Sequence, residues 1–171
     1  MRLALPALAV LAVAAVGAPG GAEPIGEDAA LCRAGRGPAV LVDVQGLKDR
    51  TGELWLELYP ATQEDFLRPD MDLVAEGKTF RRTRSRLPAG GDVEICIKAP
   101  RPGRYALMLR HNRAQRDKFS VWSDGAGIPA NVALVRHKPR LDQATVTVGP
   151  GVTTLPIRLQ YLRGLGFSPL D

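Results

Sequence analysis

Leu54-Trp-Leu-Glu-Leu-Tyr59 places three leucines on one side of an extended chain and Trp55, Glu57 and Tyr59 on the other. Successive side chains of a strand point to opposite faces, so this run has one face for a core and a second face of different character. The same alternation recurs along the chain. Val40, Val42 and Val44 alternate with Leu41 and Asp43, and Tyr105, Leu107 and Leu109 alternate with Ala106, Met108 and Arg110. Val146 and Val148 alternate with Thr145 and Thr147, and Leu155, Ile157, Leu159 and Tyr161 alternate with Pro156, Arg158 and Gln160. Turn-forming clusters separate the runs: Lys48-Asp-Arg-Thr-Gly52, Pro88-Ala-Gly-Gly-Asp92, Pro100-Arg-Pro-Gly103 and Gly149-Pro-Gly151. Repeated short period-two segments with such turns predict an all-β, antiparallel β-sandwich of about seven strands.

The same reading assigns neighbours. Residues 38–44 and 53–59 are expected to form one hairpin, and 80–87 and 92–99 another. The run carrying Arg81, Arg82, Arg84 and Arg86 is too charged for a central position and reads as an edge strand. One helical turn is expected at Thr62-Gln-Glu-Asp-Phe66, with Thr62 as its N-cap. Trp55 and Tyr59 face outward, either as a binding surface or covered by the N-terminal segment or the second sheet.

The first residues have the layout of a secretory signal peptide. Met1-Arg2 is a short positive start, Leu3 to Val16 is an apolar run interrupted by Pro6, and small residues follow as far as Ala22. The run falls short of the roughly 20 apolar residues of a membrane-spanning helix. The expected organisation is a signal peptide at 1–22, an N-terminal segment at 23–37, a β-sandwich at 38–162 and a tail at 163–171. The mature product is expected to be soluble and exported, periplasmic or extracellular. Cys32 and Cys96 are the only cysteines. An even count in an exported chain reads as a disulfide. Cys96 lies opposite Val93, Ile95 and Ile97, so the bridge is expected to pin residues around Cys32 across the outer face of that strand.

The 171 residues carry a net charge of +5, and 18 of the 23 cationic residues are arginine. The charge is unevenly spread. Residues 23–77 hold 5 cationic and 12 acidic side chains, residues 78–118 hold 12 and 3, and residues 119–171 hold 5 and 3. Arginine forks match phosphate geometry. Arg81, Arg82, Arg84, Arg86, Arg110, Arg113 and Arg116 are therefore the candidate surface for anionic envelope components, unless the acidic and basic strands face one another within the fold. Nucleic acid is not an expected partner, because stacking aromatics are missing from the basic block.

Catalytic patterns are missing as well. A nucleophilic triad requires His111 or His137 beside Ser85, Ser120, Ser123 or Ser168, and no Gly-x-Ser-x-Gly elbow surrounds any of them. His111 reads as a strand-end packing or hydrogen-bonding residue. No zinc spacing and no phosphate loop occur. The expectation is a non-catalytic envelope module, binding or structural, without a cofactor.

Several stretches in order also carry a resemblance. These are Gly46-Leu47, Leu54-Trp-Leu-Glu-Leu-Tyr59, Asp65-Phe66-Leu67, Pro102-Gly-Arg-Tyr-Ala106 leading to His111-Asn112, Gly127-Ile-Pro129, Lys138-Pro139 and Ile157-Arg-Leu-Gln-Tyr161. Together, from about residue 40 to 161, they resemble the bacterial exported family called domain of unknown function 2141. The resemblance implies an exported sandwich of transthyretin-like or immunoglobulin-like shape, without an assigned activity. Many members carry an Asp/Asn/Gly-rich loop after the histidine that resembles a calcium loop. Here the loop is His111-Asn-Arg-Ala-Gln-Arg-Asp117, and Asn112, Asp117 and Asp124 are weak candidate ligands. Calcium prefers six to eight oxygens with several carboxylates, so a polar loop without metal is expected.

Overall fold

The computed structural model describes residues 22–134, 138–164 and 166–170. The leader at 1–22 lies outside the described residues except for Ala22, and so does His137. The described residues form ten strands and three short helices: α1 (Ala29–Arg33), β1 (Ala39–Gln45), β2 (Glu53–Pro60), α2 (Asp70–Ala75), β3 (Arg81–Arg86), β4 (Glu94–Lys98), β5 (Gly103–Asn112), β6 (Gly125–Gly127), α3 (Leu141–Ala144), β7 (Thr145–Val148), β8 (Val152–Arg158), β9 (Gln160–Arg163) and β10 (Gly166–Pro169). They make a three-stranded sheet in the order β4-β1-β8 and a seven-stranded sheet in the order β10-β9-β6-β5-β2-β3, with β7 also on β5. The all-β sandwich expected from the alternation is the observed fold.

The inward faces are the predicted ones. Val40, Val42 and Val44 from the small sheet meet Leu54, Leu56, Leu58, Leu107 and Leu109 from the large one, with Ile95, Ile97, Ile157 and Leu159 completing the core. A fully buried aliphatic side chain contributes about 1.5–3 kcal/mol, so this layer dominates the stability of the sandwich.

The neighbours differ from the expected ones. β1 pairs with β4 and β8, whereas β2 pairs with β3 and β5. Neither predicted hairpin exists, because both connections, 46–52 and 87–93, cross from one sheet to the other. Backbone freedom at the ends of the first connection permits this. Gly46 and Gly52 have φ of +69° and +82°, and a side chain at Gly52 would run into the Asn112 carbonyl. The expected strand at 155–161 is likewise divided: β8 lies in the small sheet and β9 in the large one. Ile157, Leu159 and Tyr161 still reach one core, because a strand that changes sheet at the sandwich edge keeps the same inward face. β1 and β8 run parallel, so the sandwich is not wholly antiparallel. Part of the expected tail, Gly166–Pro169, adds an edge strand to β9. β3 is at the opposite edge, as its charges predicted.

Cys32 and Cys96 form the disulfide. The bridge lies on the outer face of the small sheet, in a cluster with Ala39 and with Leu31, Leu41 and Val152 packed against it. The segment before α1 is tied to β4 as well, through mutual backbone hydrogen bonds of Ile25 with Glu94 and Cys96.

The large sheet has a second packed layer on its outer face. Tyr59, Phe66, Leu73, Ala106, Ala126, Ile128, Leu134 and Ala144 form it, its covering part supplied by residues 61–80 and by Ile128, Leu134 and Ala144 from between β6 and β7. The turn at Thr62 contributes to this layer. The Thr62 hydroxyl donates to the Asp65 carboxylate at 2.8 Å, the Asp65 amide donates back at 3.2 Å, and Phe66 is thereby held against Tyr59. Trp55 and Tyr59 do face outward, but they are buried. Residues 61–80 and a row of arginines cover them, rather than the N-terminal segment or the second sheet.

Candidate functional site

Alternation along β5 sends Leu107 and Leu109 into the core, so Met108, Arg110 and Asn112 must face the other way. Arg110 sits beside Trp55, the cross-strand neighbour in register, at the middle of a covered sheet face. A guanidinium there has lost its water and must find oxygens. It finds five. Nη1 donates to the Asp117 carbonyl at 2.8 Å, and Nη2 is aimed at the Arg116 and Lys118 carbonyls at 2.7 and 2.9 Å and at Asn112 Oδ1 and Asp124 Oδ2, both at 3.1 Å. The flat ion also lies between two aromatic rings, 4.6 Å from the centroid of Trp55 and 5.5 Å from that of Phe119. Arg84 stacks on Trp55 at 4.1 Å, extending the row to β3.

Asp124 organises the other end of the same loop. Its side chain is fully buried. It accepts from the Ala114 amide at 2.9 Å, the Ser120 amide at 3.0 Å and Arg110. Burial pushes its carboxyl up, but the Ser120 and Ala114 amides and the guanidinium outweigh burial and hold it below its ordinary range. Residues 113–124 are thus wound around one internal ion pair.

This loop builds one wall of an apolar cleft of about 470 Å³. Phe119, Val121 and Trp122 stand on the loop side, and Met108 of β5 and Ala126 of β6 form the floor. Leu134, Lys138 and Pro139 make the opposite wall, and Leu162 of β9 and Phe167 of β10 close the end. Phe119 and Phe167 stack with centroids 6.2 Å apart. Gly127 lets β6 lie close to the end of β8: a Cβ there would stand 2.7 Å from the Arg158 carbonyl oxygen. Trp122 is 83% exposed and Val121 44%.

The candidate residues read from the sequence take different places. Asn112 and Asp124 converge, but on the Arg110 guanidinium, and the exposed Asp117 supplies only its carbonyl. Among the described residues no group of three or more His, Cys, Asp or Glu could hold a metal ion. The arginines are dispersed. Arg81 reaches Asp28 at 3.3 Å, Arg82 reaches Glu57 at 2.6 Å and Asp70 at 2.9 Å, and Arg113 reaches Asp49 at 2.6 Å. Each acid comes from the 23–77 block, so the acidic and basic halves face one another. Arg84 lies over Trp55, and Arg86 and Arg116 are exposed. Arg113, the largest influence on Asp49, holds that carboxyl down to about 2.

His111 is buried, and both ring nitrogens are occupied. Nε2 lies 2.7 Å from the Thr51 carbonyl, which can only accept, so Nδ1 accepts from the Tyr161 hydroxyl at 2.7 Å. That hydroxyl in turn accepts from the Lys48 amide at 3.1 Å. Burial, the largest influence, lowers the His111 pKa, while the Thr51 contact and Asp49 act to raise it. A histidine whose folded pKa is depressed adds stability that is present above the ordinary value near 6.5 and lost as pH falls below it. Wild-type protein is expected to have a lower denaturation midpoint at pH 5.5 than at pH 7.5. His111→Gln should show a shallower dependence, and equal slopes for the two proteins would refute the assignment.

A family model described as an uncharacterized protein conserved in bacteria, DUF2141, matches residues 42–156. The chain belongs to this family. The matched stretch of this DUF2141 protein includes Trp55, Arg110, the 113–124 loop, Trp122 and Lys138. It leaves out Cys32 of the disulfide and the Leu162 and Phe167 that close the cleft. Neither the curated proteins nor the solved structures yield a match.

The cleft has no signature in the strand pattern. Phe119, Val121, Trp122 and Phe167 belong to no alternating strand run, and a loop tryptophan flanked by Phe119 and Val121 was the available signal.

Proposed function

We propose that this DUF2141 protein is a non-catalytic, exported binding module of the bacterial cell envelope, and that its ligand site is the apolar cleft beside the 113–124 loop. The observation that carries this reading is Trp122, held almost wholly in water at the mouth of a preformed concave apolar surface. Ligand sites are typically concave, largely preformed and mostly apolar, with a few placed polar groups. Exposed apolar surface of this kind marks interaction sites. The wall that carries Trp122 is fixed from behind by Arg110 and Asp124, so little ordering cost falls on binding.

Export is supported by the leader-like first 22 residues and by the disulfide, since such bridges persist in oxidising compartments. Among the described residues no helix is long and apolar enough to cross a membrane. A non-catalytic role is supported by His111, whose nitrogens are both committed to Tyr161 and Thr51. An amino terminus at Glu23 on protein recovered from outside the cytoplasm is the expected processing result. Met1 retained on a cytoplasmic product would refute export.

For the site itself, a neutral apolar fluorescent probe should bind saturably to the oxidised protein. Trp122→Ala should weaken binding about tenfold or more while changing stability by no more than about 0.5 kcal/mol, because the side chain is exposed. Probe affinity unchanged by Trp122→Ala would place the site elsewhere.

A further inference from the structure

Among the described residues ten line the cleft, and one of these, Lys138, is charged. Its ammonium has no carboxylate partner among the described residues. It stands over the Phe66 ring, with Nζ 5.7 Å from the centroid. Arg140, two residues further along the chain, is already paired with Asp142. An unneutralised cation beside an otherwise apolar cleft is complementary to a ligand with an apolar body and one negative charge.

The kind of anion follows from the kind of cation. Three arginine forks, which suit phosphate, are engaged elsewhere, Arg110 on the loop oxygens, Arg82 on Glu57 and Arg113 on Asp49, and no arginine among the described residues lines the cleft. A single ammonium is a point charge without bidentate geometry, and one negative charge on the ligand, as on a carboxylate, balances it. The apolar part meets a methionine floor at Met108, whose unbranched, polarisable side chain adapts to a flexible chain. The volume of about 470 Å³ lies within the range of small-molecule sites.

Accepting the cleft as the binding site, we infer that its ligand class is a single-chain anionic amphiphile, a fatty-acid type carboxylate. The acyl chain lies between Phe119, Trp122 and Met108, and the carboxylate lies at the Lys138 ammonium. No covalent step is involved.

The test uses the oxidised chain from Glu23 and titration calorimetry with dodecanoate, the uncharged twelve-carbon alcohol and hexanoate, each kept below aggregation. Dodecanoate is expected to bind one per chain, about fivefold tighter than the alcohol, as for a partly exposed ion pair. Each methylene removed should weaken binding about fourfold, so hexanoate, shorter by six methylenes, should be weaker by roughly a thousandfold or more. Lys138→Met should abolish the preference for dodecanoate while leaving the alcohol's affinity unchanged, and Lys138→Arg should retain the preference.

Equal affinities of wild-type protein for dodecanoate and the alcohol would overturn the carboxylate assignment while leaving the cleft as the site. A preference that survives in Lys138→Met would overturn it as well, by placing the head elsewhere. Binding of neither twelve-carbon compound would overturn the cleft reading together with this inference. A final arm sediments the protein with anionic phospholipid vesicles. Co-sedimentation without binding of monomeric dodecanoate would replace the amphiphile site with docking on a lipid surface.

Discussion

Arg110→Met is expected to destabilise the protein by about 3–5 kcal/mol, the range found when one partner of a buried ion pair is removed. The physical reason is what remains behind. Asp124, fully buried, keeps its charge without its cation, and the Arg116, Asp117 and Lys118 carbonyls lose their shared donor. Each stranded buried polar group costs about 1–3 kcal/mol. Methionine fills most of the volume, so the loss reports electrostatics and hydrogen bonding rather than a cavity. Denaturant unfolding measures it, and Asp124→Asn supplies the control. If the pair is the cause, the double variant should be more stable than the sum of the two single losses predicts, by about 1 kcal/mol or more. Strict additivity, or a loss below about 1 kcal/mol in Arg110→Met, would sink this account. The same geometry gives an expectation for calcium. The oxygens that converge in this loop already surround a guanidinium, so added calcium should leave the wild-type melting temperature unchanged.

The second large effect is expected at Cys32–Cys96. The two positions are 64 residues apart, and closing a loop of that length stabilises by about 4 kcal/mol on the chain-entropy account. Cys32→Ala with Cys96→Ala, or reduction of the native protein, should lower the unfolding free energy by about 2–5 kcal/mol. The local consequence is as specific as the global one. The bridge holds α1 against the outer face of β1 and β4, where Ala39, Leu41 and Val152 pack around it. Without it, the 23–37 segment retains its backbone pairing at Ile25, the Asp28 contacts to Lys98 and Arg81, and the contact of Glu27 with Thr83. Trypsin should then cut at Arg33 and Arg36 well before the sandwich is digested. An identical midpoint and identical digestion with and without reductant would refute the tether.

The faces of the strands were legible because side-chain alternation is a local property. Leu54, Leu56 and Leu58 point inward whatever strand lies beside them, and so do Leu107 and Leu109. The disulfide was legible because two cysteines allow a single intramolecular pairing. The edge position of β3 followed from its four arginines. The identity of neighbours was not legible. Alternation says which face is buried but not which sheet receives it, and residues 46–52 and 87–93 read equally well as hairpin turns or as crossings. The charge blocks were legible as blocks. That Asp28, Asp49, Glu57 and Asp70 would take Arg81, Arg113 and Arg82 depended on strand order and on the path of the covering segments.

The cleft shows the same division. The sequence determined an all-β sandwich with β2 and β5 amphipathic, a bridge between Cys32 and Cys96, and a guanidinium at position 110 on the outward face of β5. Only the tertiary structure decided that this outward face is covered, because the covering layer comes from residues 61–80, 128–134 and 141–144, away from β5 in sequence. Once covered, Arg110 had to gather oxygens from the following loop, and the loop so gathered turned Phe119 and Trp122 toward Met108, Phe167 and Lys138. A periodic pattern reports on a residue and its own strand. A concave site joins residues separated by as many as fifty positions or more, and burial of the sheet's second face is what brought them together.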